Sequence, residues 1–412
     1  MPRLSLHSLR PGRAFENSPA IYRWVPVAGR TASPVGTTEG TSRFHGSCLP
    51  GDKSLSYSHL SLRDKPAATR SAAKVTAAAI MVLAWGALMA DSAVVAMGAE
   101  VSPVPLAATQ VWLINTRSTP GCGDLEAGFS QITYWRLDES CGCGQWQASD
   151  AAAFQASAAP GVPTTVLVHG NGTDEDWAVR HGNVLYGLMK QQACGRPFRL
   201  IVWSWPADRV VRRNRPDVQI KACRSDVEAY YLARLLPNVL QGTPLGLIGY
   251  SLGCRTVSGA LQLLAGGAVA GRSLPAEGLA AWNSTGSRPI RVMLLAAAMD
   301  ADWLEPCCPH GLAPLAVERI LVVSNGCDHV LKWYSHLYGR HGPEALGYVG
   351  PMGTAGGKLD VVEVSGEIGR KHDFDRYQES SPVCQRLAWY TFLGDTPAAT
   401  ANSAEKSALA AE

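Results

Sequence analysis

The pentapeptide Gly-Tyr-Ser-Leu-Gly at residues 249–253 constrains this chain more than any other segment. It directly follows the apolar run 244–248 and directly precedes a helix-like segment, 254–264. The pattern is therefore a strand, a sharp turn and a helix, with a serine at the apex of the turn. In that context a G-x-S-x-G match indicates a nucleophile elbow, and it predicts that the hydroxyl of Ser251 stands exposed above a sheet.

The glycines that flank this turn have a steric role. The turn forces the serine into a strained backbone conformation, so side chains at Gly249 and Gly253 are expected to collide with the strand or the helix. The N–H of Leu252 would lie at the positive end of the helix. Glycine is frequent in this chain, with 41 residues, so a glycine-rich turn without chemistry is the alternative interpretation. Partners in the chain order serine, acid, histidine favour the first interpretation.

A second glycine-rich turn, His-Gly-Asn-Gly, begins at His169. It follows the β-branched and aliphatic run 163–168, which is typical of a buried parallel strand. A backbone N–H of Asn171 or Gly172 is expected to face a developing oxyanion together with that of Leu252. His169 precedes the serine, so the chain order predicts a structural role for it.

Two strands after the elbow end near carboxylates. The strand 289–297 leads to Asp300, and the strand 317–324 leads through a short turn to Asp328. The acid of a serine triad comes between the serine and the histidine in this chain order. Asp328 is the predicted acid and Asp300 is the alternative acid, although either aspartate could instead cap the segment that follows it.

His372 is the predicted base. It lies in a loop after the last strand, 358–364, and before the helix-like stretch 382–393. From there its Nε2 can reach Ser251 while its Nδ1–H is held by Asp328. The competing histidines precede the last strand and are expected on the surface or in helices: His310, His329, His336 and His341. The nucleophile, acid, base and oxyanion donors thus occur in the expected order.

The run 108–395 resembles the α/β-hydrolase superfamily and, more narrowly, a bacterial esterase-like family of unassigned substrate. The matching segments are 111–117, 169–172, 203–206 (Trp-Ser-Trp-Pro), 249–253, 294–300 and 323–328. The resemblance implies Ser251 as nucleophile, Asp328 as acid and His372 as base. The chain departs from the family at Tyr250, where the family more often has histidine.

The spacing of apolar runs independently predicts an α/β fold. Strands and helices alternate from residue 164 to residue 393, which indicates a mostly parallel central sheet with helices on both faces. No long insertion follows the elbow, so no large cap domain is expected. Strands at the sheet edge are expected at 110–116 and 132–137, a small-residue linker at 151–159 and a helix near 329–338. The two candidates for a lid are 207–221 and 303–314.

The N-terminal quarter differs in composition from the rest. Residues 1–70 are rich in Ser, Pro, Gly and Arg and are interpreted as a disordered basic leader, and 396–412 as a disordered tail. Residues 71–99 contain an apolar run after basic residues, which predicts a signal peptide, cleaved after Ala90 or Ala99, or a membrane anchor. The protein would then be secreted, periplasmic or envelope-associated, with membrane association through 75–99. An apolar helix packed on the body is the alternative, and the distance from Met1 predicts a downstream translation start.

Charge and cysteine content narrow the class further. Residues 1–74 hold 11 Lys+Arg and 4 Asp+Glu, whereas the remainder holds 26 Lys+Arg and 30 Asp+Glu. The positive charge therefore belongs to the N-terminal part, and nucleic-acid binding by the body is not expected. The chain has 11 cysteines, which fits export and permits several disulfides. No paired cluster of cysteines has zinc spacing, so neither a metal nor another cofactor is expected.

The sequence therefore predicts a serine hydrolase that cleaves a carboxylic ester of a small-molecule or lipid-like substrate through an acyl-enzyme. Two other hypotheses stay open. One is a catalytically inactive α/β-hydrolase-fold protein that binds a ligand or partner. The other is amide or peptide cleavage by the same residues.

Overall fold

The computed structural model describes residues 108–139, 144–239, 243–286, 289–339 and 341–394. The predicted leader 1–70, the apolar segment 71–99 and the tail 396–412 lie outside the described residues. Within the described ranges, none of the helices combines the length and the apolar character that crossing a membrane requires.

Nine strands of the described ranges form one mostly parallel sheet, and two further strands form a separate pair. The strands in chain order are β1 Gln110–Asn115, β2 Thr133–Asp138, β3 Gln145–Ser149, β4 Thr164–Val168, β5 Arg199–Ser204, β6 Leu245–Tyr250, β7 Ala268–Val269, β8 Arg272–Ser273, β9 Ile290–Leu295, β10 Arg319–Ser324 and β11 Leu359–Glu363. The sheet order is β11-β10-β9-β6-β4-β5-β1-β2-β3, and β7 and β8 form a separate antiparallel pair. The pairs from β11 to β1 are parallel, and β2 and β3 add two antiparallel pairings.

The register of the parallel strands brings their carboxyl ends to one edge. Val168 at the end of β4 pairs with Trp203 of β5 on one side and with Gly249 of β6 on the other. Gly249 in turn pairs with Leu294 of β9. Every residue of β4, β5 and β6 is buried, which explains why these strands appear in the sequence as continuous apolar runs. The turns that leave these strands therefore lie side by side.

Helices cover both faces of this sheet. They are α1 Ala151–Ala156, α2 Glu175–Ala193, α3 Asn214–Val239, α4 Leu252–Leu264, α5 Ala276–Ser284, α6 Leu346–Val349, α7 Ser365–Ile368, α8 Phe374–Glu379 and α9 Ser381–Tyr390. On β6 a methyl group at Gly246 would lie 2.8 Å from the carbonyl oxygen of Tyr390 in α9. A methyl group at Gly249 would lie 2.7 Å from Cα of Cys254 in α4. Positions an odd number apart on a strand face opposite sides, so α9 and α4 cover opposite faces. The predicted fold class is confirmed.

Two local predictions were wrong. The segment 151–159 is not a linker but begins with α1, because the Asp150 side chain accepts the N–H of Ala153 at 2.8 Å and caps the helix. The first lid candidate, 207–221, is not a loop throughout, because α3 already begins at Asn214. The helix expected near 329–338 is present as a 3-10 helix, Leu331–Leu337.

Candidate active site

Ser251 occupies the turn between β6 and α4 in a strained conformation. Its φ of 54° and ψ of −119° lie in a region that side chains rarely adopt. Three backbone hydrogen bonds hold it there. Its N–H donates to Leu295 at 2.9 Å, and its carbonyl accepts the N–H groups of Cys254 at 3.1 Å and Ala298 at 3.2 Å. This is the geometry of a nucleophile elbow, in which the serine lies at the carboxyl edge of the sheet. Ser251 is 6% exposed, so it borders a cavity and does not stand exposed above the sheet as predicted.

The elbow requires glycine at residue 253. A methyl group there would lie 2.2 Å from the carbonyl oxygen of Val168, which is backbone of β4 and cannot move aside. We expect Gly253→Ala to lower the free energy of unfolding by about 1–3 kcal/mol, through overpacking. Gly187→Ala in α2 is the matched control, because no atom lies within 4 Å of its added methyl group. Urea unfolding of both variants measures this, and a Gly253→Ala protein as stable as the control would contradict it.

The structure brings the three side chains of the predicted triad together. His372 Nε2 lies 3.1 Å from Ser251 Oγ, and His372 Nδ1 lies 2.6 Å from Asp328 Oδ2. Ser251 follows β6, Asp328 follows β10, and His372 lies between α7 and α8, after β11. Residues 121 and 44 positions apart thus meet at the carboxyl edge of the sheet, where ligands of open α/β sheets bind.

Asp328 is completely buried, and its carboxylate accepts four hydrogen bonds. Its Oδ1 accepts the backbone N–H groups of Val330 at 2.9 Å and Leu331 at 3.1 Å. Its Oδ2 accepts His372 Nδ1–H and the hydroxyl of Tyr377, the latter at 2.8 Å. Burial by itself would raise the pKa of Asp328, but the neighbouring His372 and these hydrogen bonds outweigh it and hold the pKa below its ordinary value. Asp328 is therefore a carboxylate, and it fixes the tautomer in which Nε2 of His372 is an acceptor.

Removing the Tyr377 hydroxyl is expected to lower the free energy of unfolding more at neutral pH, where Asp328 is charged, than in acid. Tyr377→Phe should cost about 1.5–3 kcal/mol near neutral pH, because the hydroxyl donates to a buried carboxylate. A carboxyl with a depressed pKa contributes stability above its unfolded pKa, about 3.9, and loses it as pH falls through the folded value. The depression is smaller in the variant, so the difference from wild type should shrink in acid.

Urea unfolding of wild type and Tyr377→Phe between about pH 7 and pH 3 measures this difference. Tyr390→Phe is the control, because Tyr390 is equally buried but donates to Asp360, which is partly exposed. A Tyr377→Phe deficit that stays constant over this pH range would contradict the role given to Asp328.

Tyr250 holds the loop that carries His372. Its hydroxyl donates to the backbone carbonyl of His372, and its ring packs 5.4 Å from the imidazole and 5.0 Å from the ring of Phe374. Asn325 adds a second tie, since its Nδ2 donates to the carbonyl of Gly369 at 2.8 Å. The residue at which the chain departs from the family pattern thus contacts the predicted base. Tyr250, Asn325 and Tyr377 were not predicted from the sequence.

One of the two predicted upstream oxyanion donors is already occupied. The N–H of Gly172 donates to the carbonyl of Ala207 at 3.0 Å, whereas no described residue accepts the N–H of Asn171. Leu252 is the first residue of α4, so its N–H has no partner within the helix. Leu252 and Asn171 border the same cavity as Ser251. The pair Leu252 and Asn171 is therefore the better candidate for an oxyanion hole, and Gly172 is replaced in that role.

His169 is a structural residue, and it fixes the turn before Asn171. It is buried, and its Nδ1 donates to the carbonyl of Gly170 at 2.9 Å. Its Nε2 accepts the N–H of Trp205 at 3.1 Å, and the two rings stack at 5.5 Å. Burial lowers the pKa of His169 well below its ordinary value, so the imidazole is neutral, as both hydrogen bonds require.

Arg117 ties the same turn to the ends of β1 and β5. Its Nη2 donates to the carbonyl of Thr173 at 2.9 Å, and its Nε donates to Ser204 Oγ at 2.9 Å. Its Nη1 forms an ion pair with Asp208 at 2.5 Å. Arg117 therefore holds the turn 169–173 against the loop that follows β5. It was matched in the family resemblance, but nothing in the sequence indicated this contact.

The alternative acid and the competing histidines lie in other environments. Asp300 accepts the hydroxyl of Tyr334 at 2.7 Å. His310, which was expected on the surface or in a helix, is buried against Ser258 Oγ at 2.7 Å, and burial lowers its pKa to about 3. His329 contacts the carbonyl of Arg370. His336 and His341 are exposed, and His329 is partly exposed.

The described residues contain neither a disulfide nor a cluster of metal ligands. The cysteines of the described ranges are free thiols, so none of them forms one of the expected disulfides: Cys122, Cys194, Cys223, Cys254, Cys307, Cys308, Cys327 and Cys384. Cys141 and Cys143 lie outside the described residues. No group of three or more His, Cys, Asp or Glu side chains in the described ranges is arranged to hold a metal ion.

The strand order, the strained serine and the placement of the acid and the histidine after later strands define an α/β-hydrolase fold. No protein-family model and no curated protein matches this chain.

Solved structures of this class are similar to the chain only remotely. The catalytic core domain of acetyl xylan esterase from Trichoderma reesei is 12% identical, covers 57% of this chain and 98% of its own, and has a TM-score of 0.31. S-formylglutathione hydrolase from Staphylococcus aureus is 12% identical, covers 70% and 99%, and has a TM-score of 0.33. A cutinase-like protein from Cryptococcus sp. is 18% identical, covers 58% and 99%, and has a TM-score of 0.30. Likenesses this remote carry no argument about activity.

Proposed function

We propose that this protein is a serine hydrolase that cleaves carboxylic esters through an acyl-enzyme. The observation that carries the proposal is the hydrogen-bonded series Asp328, His372 and Ser251, with the serine on a strained turn. A serine hydroxyl is a weak nucleophile at neutral pH, and an imidazole at hydrogen-bond distance activates it. The position of Ser251 beside the start of α4 adds backbone N–H groups that can stabilise an oxyanion.

Acylation begins when Ser251 Oγ attacks the ester carbonyl carbon. His372 Nε2 accepts the hydroxyl proton, and the carboxylate of Asp328 stabilises the imidazolium that forms. The carbonyl oxygen becomes an oxyanion between the N–H groups of Leu252 and Asn171, each worth about 2.7–4 kcal/mol. Collapse of the tetrahedral species breaks the bond to the alcohol oxygen. His372 gives its proton to that oxygen, and the alcohol leaves.

Deacylation repeats these steps with water as the nucleophile. His372 Nε2 takes a proton from the water molecule as its oxygen attacks the acyl carbon. The same two N–H groups stabilise the second oxyanion. The bond to Ser251 Oγ then breaks, and the proton held by His372 returns to that oxygen. The products are the carboxylic acid and the free enzyme.

Turnover of matched ester and amide substrates tests this proposal. Purified full-length protein is expected to hydrolyse p-nitrophenyl butanoate well above the uncatalysed rate and to hydrolyse the corresponding p-nitroanilide far more slowly. Preferential cleavage of the anilide would favour an amidase. Absence of turnover on both substrates would favour the second candidate, an inactive binding protein of the same fold.

We also propose that the enzyme acts outside the cytoplasm. The support is the apolar run within residues 71–99, which follows basic residues and ends in small ones. Export with cleavage is expected to give a mature N-terminus after Ala90 or Ala99. N-terminal sequencing of the protein from its native host tests this, and a mature chain that retains residues near Met1 would contradict it.

A further inference from the structure

A small apolar cavity adjoins the proposed nucleophile. It has a volume of about 70 Å³, and Ser251 and His372 border it together with the two residues of the proposed oxyanion hole. Most of the remaining wall is hydrophobic. Val218 of α3 lies on one side, and the 3-10 helix Leu331–Leu337 supplies Leu331, Trp333 and Leu337 on another. A group that enters this cavity therefore leaves water for hydrocarbon surroundings.

Hydrogen bonds lock two walls of this cavity together. The carbonyl oxygen of Leu337 accepts Nε of Arg215 at 3.1 Å and Nε2 of Gln219 at 2.8 Å. These two donors flank Val218 on the first turns of α3, so Val218 and Leu337, which both border the cavity, lie where α3 and the 3-10 helix are joined. The wall is thus built from two elements that are far apart in sequence but are fixed to each other.

Tyr334 gives a second fixed wall. Its ring borders the cavity, and its hydroxyl donates to Asp300 at 2.7 Å. Tyr334 is buried and Asp300 is partly buried, and burial raises the pKa of both groups. Rotating the ring out of the wall would leave this partly buried carboxyl group without its donor, which is costly. The cavity therefore does not widen easily on this side either.

We propose that this cavity receives the acyl group of the substrate and restricts the enzyme to short acyl chains, of the acetyl to butanoyl class. The proposal rests on the proposed function. In the acyl-enzyme the acyl group stays bonded to Ser251 Oγ, so it must occupy the space that adjoins this atom while water reacts. A cavity of about 70 Å³ is much smaller than the roughly 300–1,000 Å³ of a pocket for a drug-sized ligand, so it accommodates only a few carbon atoms. A longer chain meets Val218 and Leu337.

A series of p-nitrophenyl esters measures this selectivity. For the wild-type protein, kcat/KM for the octanoate is expected to be at least about 10-fold below that for the butanoate, since unaccommodated methylenes cost roughly 10-fold or more. Val218→Ala and Leu337→Ala should each raise the octanoate-to-butanoate ratio by about 10-fold. Val218→Phe should lower the butanoate relative to the acetate. Ile220→Ala is the matched control, because Ile220 lies on the same helix, is 40% exposed and does not border the cavity.

The outcomes separate this inference from the proposed function. A wild-type protein that hydrolyses no ester of the series overturns both. A protein that hydrolyses butanoate and octanoate equally well overturns only the assignment of the cavity. The assignment of the cavity is also overturned if Ile220→Ala changes the octanoate-to-butanoate ratio as much as Val218→Ala does. It is overturned as well if the rates depend on the length of the alcohol in a series of acetate esters and not on the length of the acyl chain. Thermal unfolding of each variant identifies any that fails to fold, and the enlarging and filling variants give independent readings.

Discussion

Ser251→Ala is expected to lower kcat for ester hydrolysis by about 10⁴–10⁶-fold, leaving only the acceleration that binding and the oxyanion donors supply. The loss should be this large because no acyl-enzyme forms without Oγ. A water molecule that attacked the ester instead would not be positioned by the strained turn. The fold should survive, since the backbone hydrogen bonds that hold residue 251 to Leu295, Cys254 and Ala298 do not involve the side chain.

Steady-state rates on p-nitrophenyl butanoate measure this effect. Ser284→Ala, on an exposed site at the end of α5, is the control and should retain wild-type rates. Thermal unfolding should give similar transitions for the two variants. A Ser251→Ala protein that keeps more than a tenth of the wild-type kcat would show that the hydrolysis takes place elsewhere in the molecule.

His372→Ala is expected to reduce kcat by a comparable factor, about 10⁴–10⁶-fold. The imidazole is the group within reach that can take the proton of Ser251 Oγ, at 3.1 Å, and return it to the leaving alcohol. Loss of the base also leaves Asp328 buried as a carboxylate without its principal partner. The variant should therefore be less stable as well, by about 3–5 kcal/mol if the charge stays uncompensated.

Rates and urea unfolding of His372→Ala should be measured side by side with His341→Ala, an exposed histidine outside the cavity. The control should match wild type in both. Near-normal turnover by a folded His372→Ala protein would remove His372 from the mechanism. The effects of Ser251→Ala and His372→Ala should also be far from additive, because the two side chains act as one unit.

The residues of this site that the sequence predicted belong to short, contiguous sequence patterns or follow from their order along the chain. Strands buried on both faces appear as uninterrupted apolar runs, so β4, β5, β6, β9 and β10 were recognisable. The elbow is a contiguous pentapeptide, and the chain order of serine, acid and histidine then pointed to Asp328 and His372. In the structure these side chains lie within hydrogen-bond distance of one another.

The residues that sequence reasoning missed depend on contacts between distant elements. Tyr250 reaches the carbonyl of His372 only because β6 lies beneath the loop before α8. Gly172 was predicted to be an oxyanion donor, but its N–H donates to the carbonyl of Ala207 in the loop after β5. The cavity walls likewise depend on how α3 meets the 3-10 helix Leu331–Leu337, which no local pattern encodes.

Some of the wrong predictions did have a local signal. Asp150 immediately before an alanine-rich segment is a helix N-cap pattern, and it marks the start of α1. Pro216 near the start of α3 is also typical of a first helical turn. The Asp217 side chain accepts the N–H groups of Val210 and Val211, at 2.8 and 2.9 Å, and so holds this part of the lid candidate 207–221 against the helix.

Covalent labelling with a fluorophosphonate probe, followed by peptide mapping, tests the central claim most directly. The probe reacts with a serine only when a neighbouring base activates it, so it reports on Ser251 and His372 together. We expect one modified peptide, carrying the label on Ser251, and no labelling of Ser251→Ala. Ser258 is an internal comparison, because it also lies beside a histidine but does not border the cavity that Ser251 borders. An unlabelled wild-type protein under conditions where an esterase reacts, or a label on any other serine, would contradict the account.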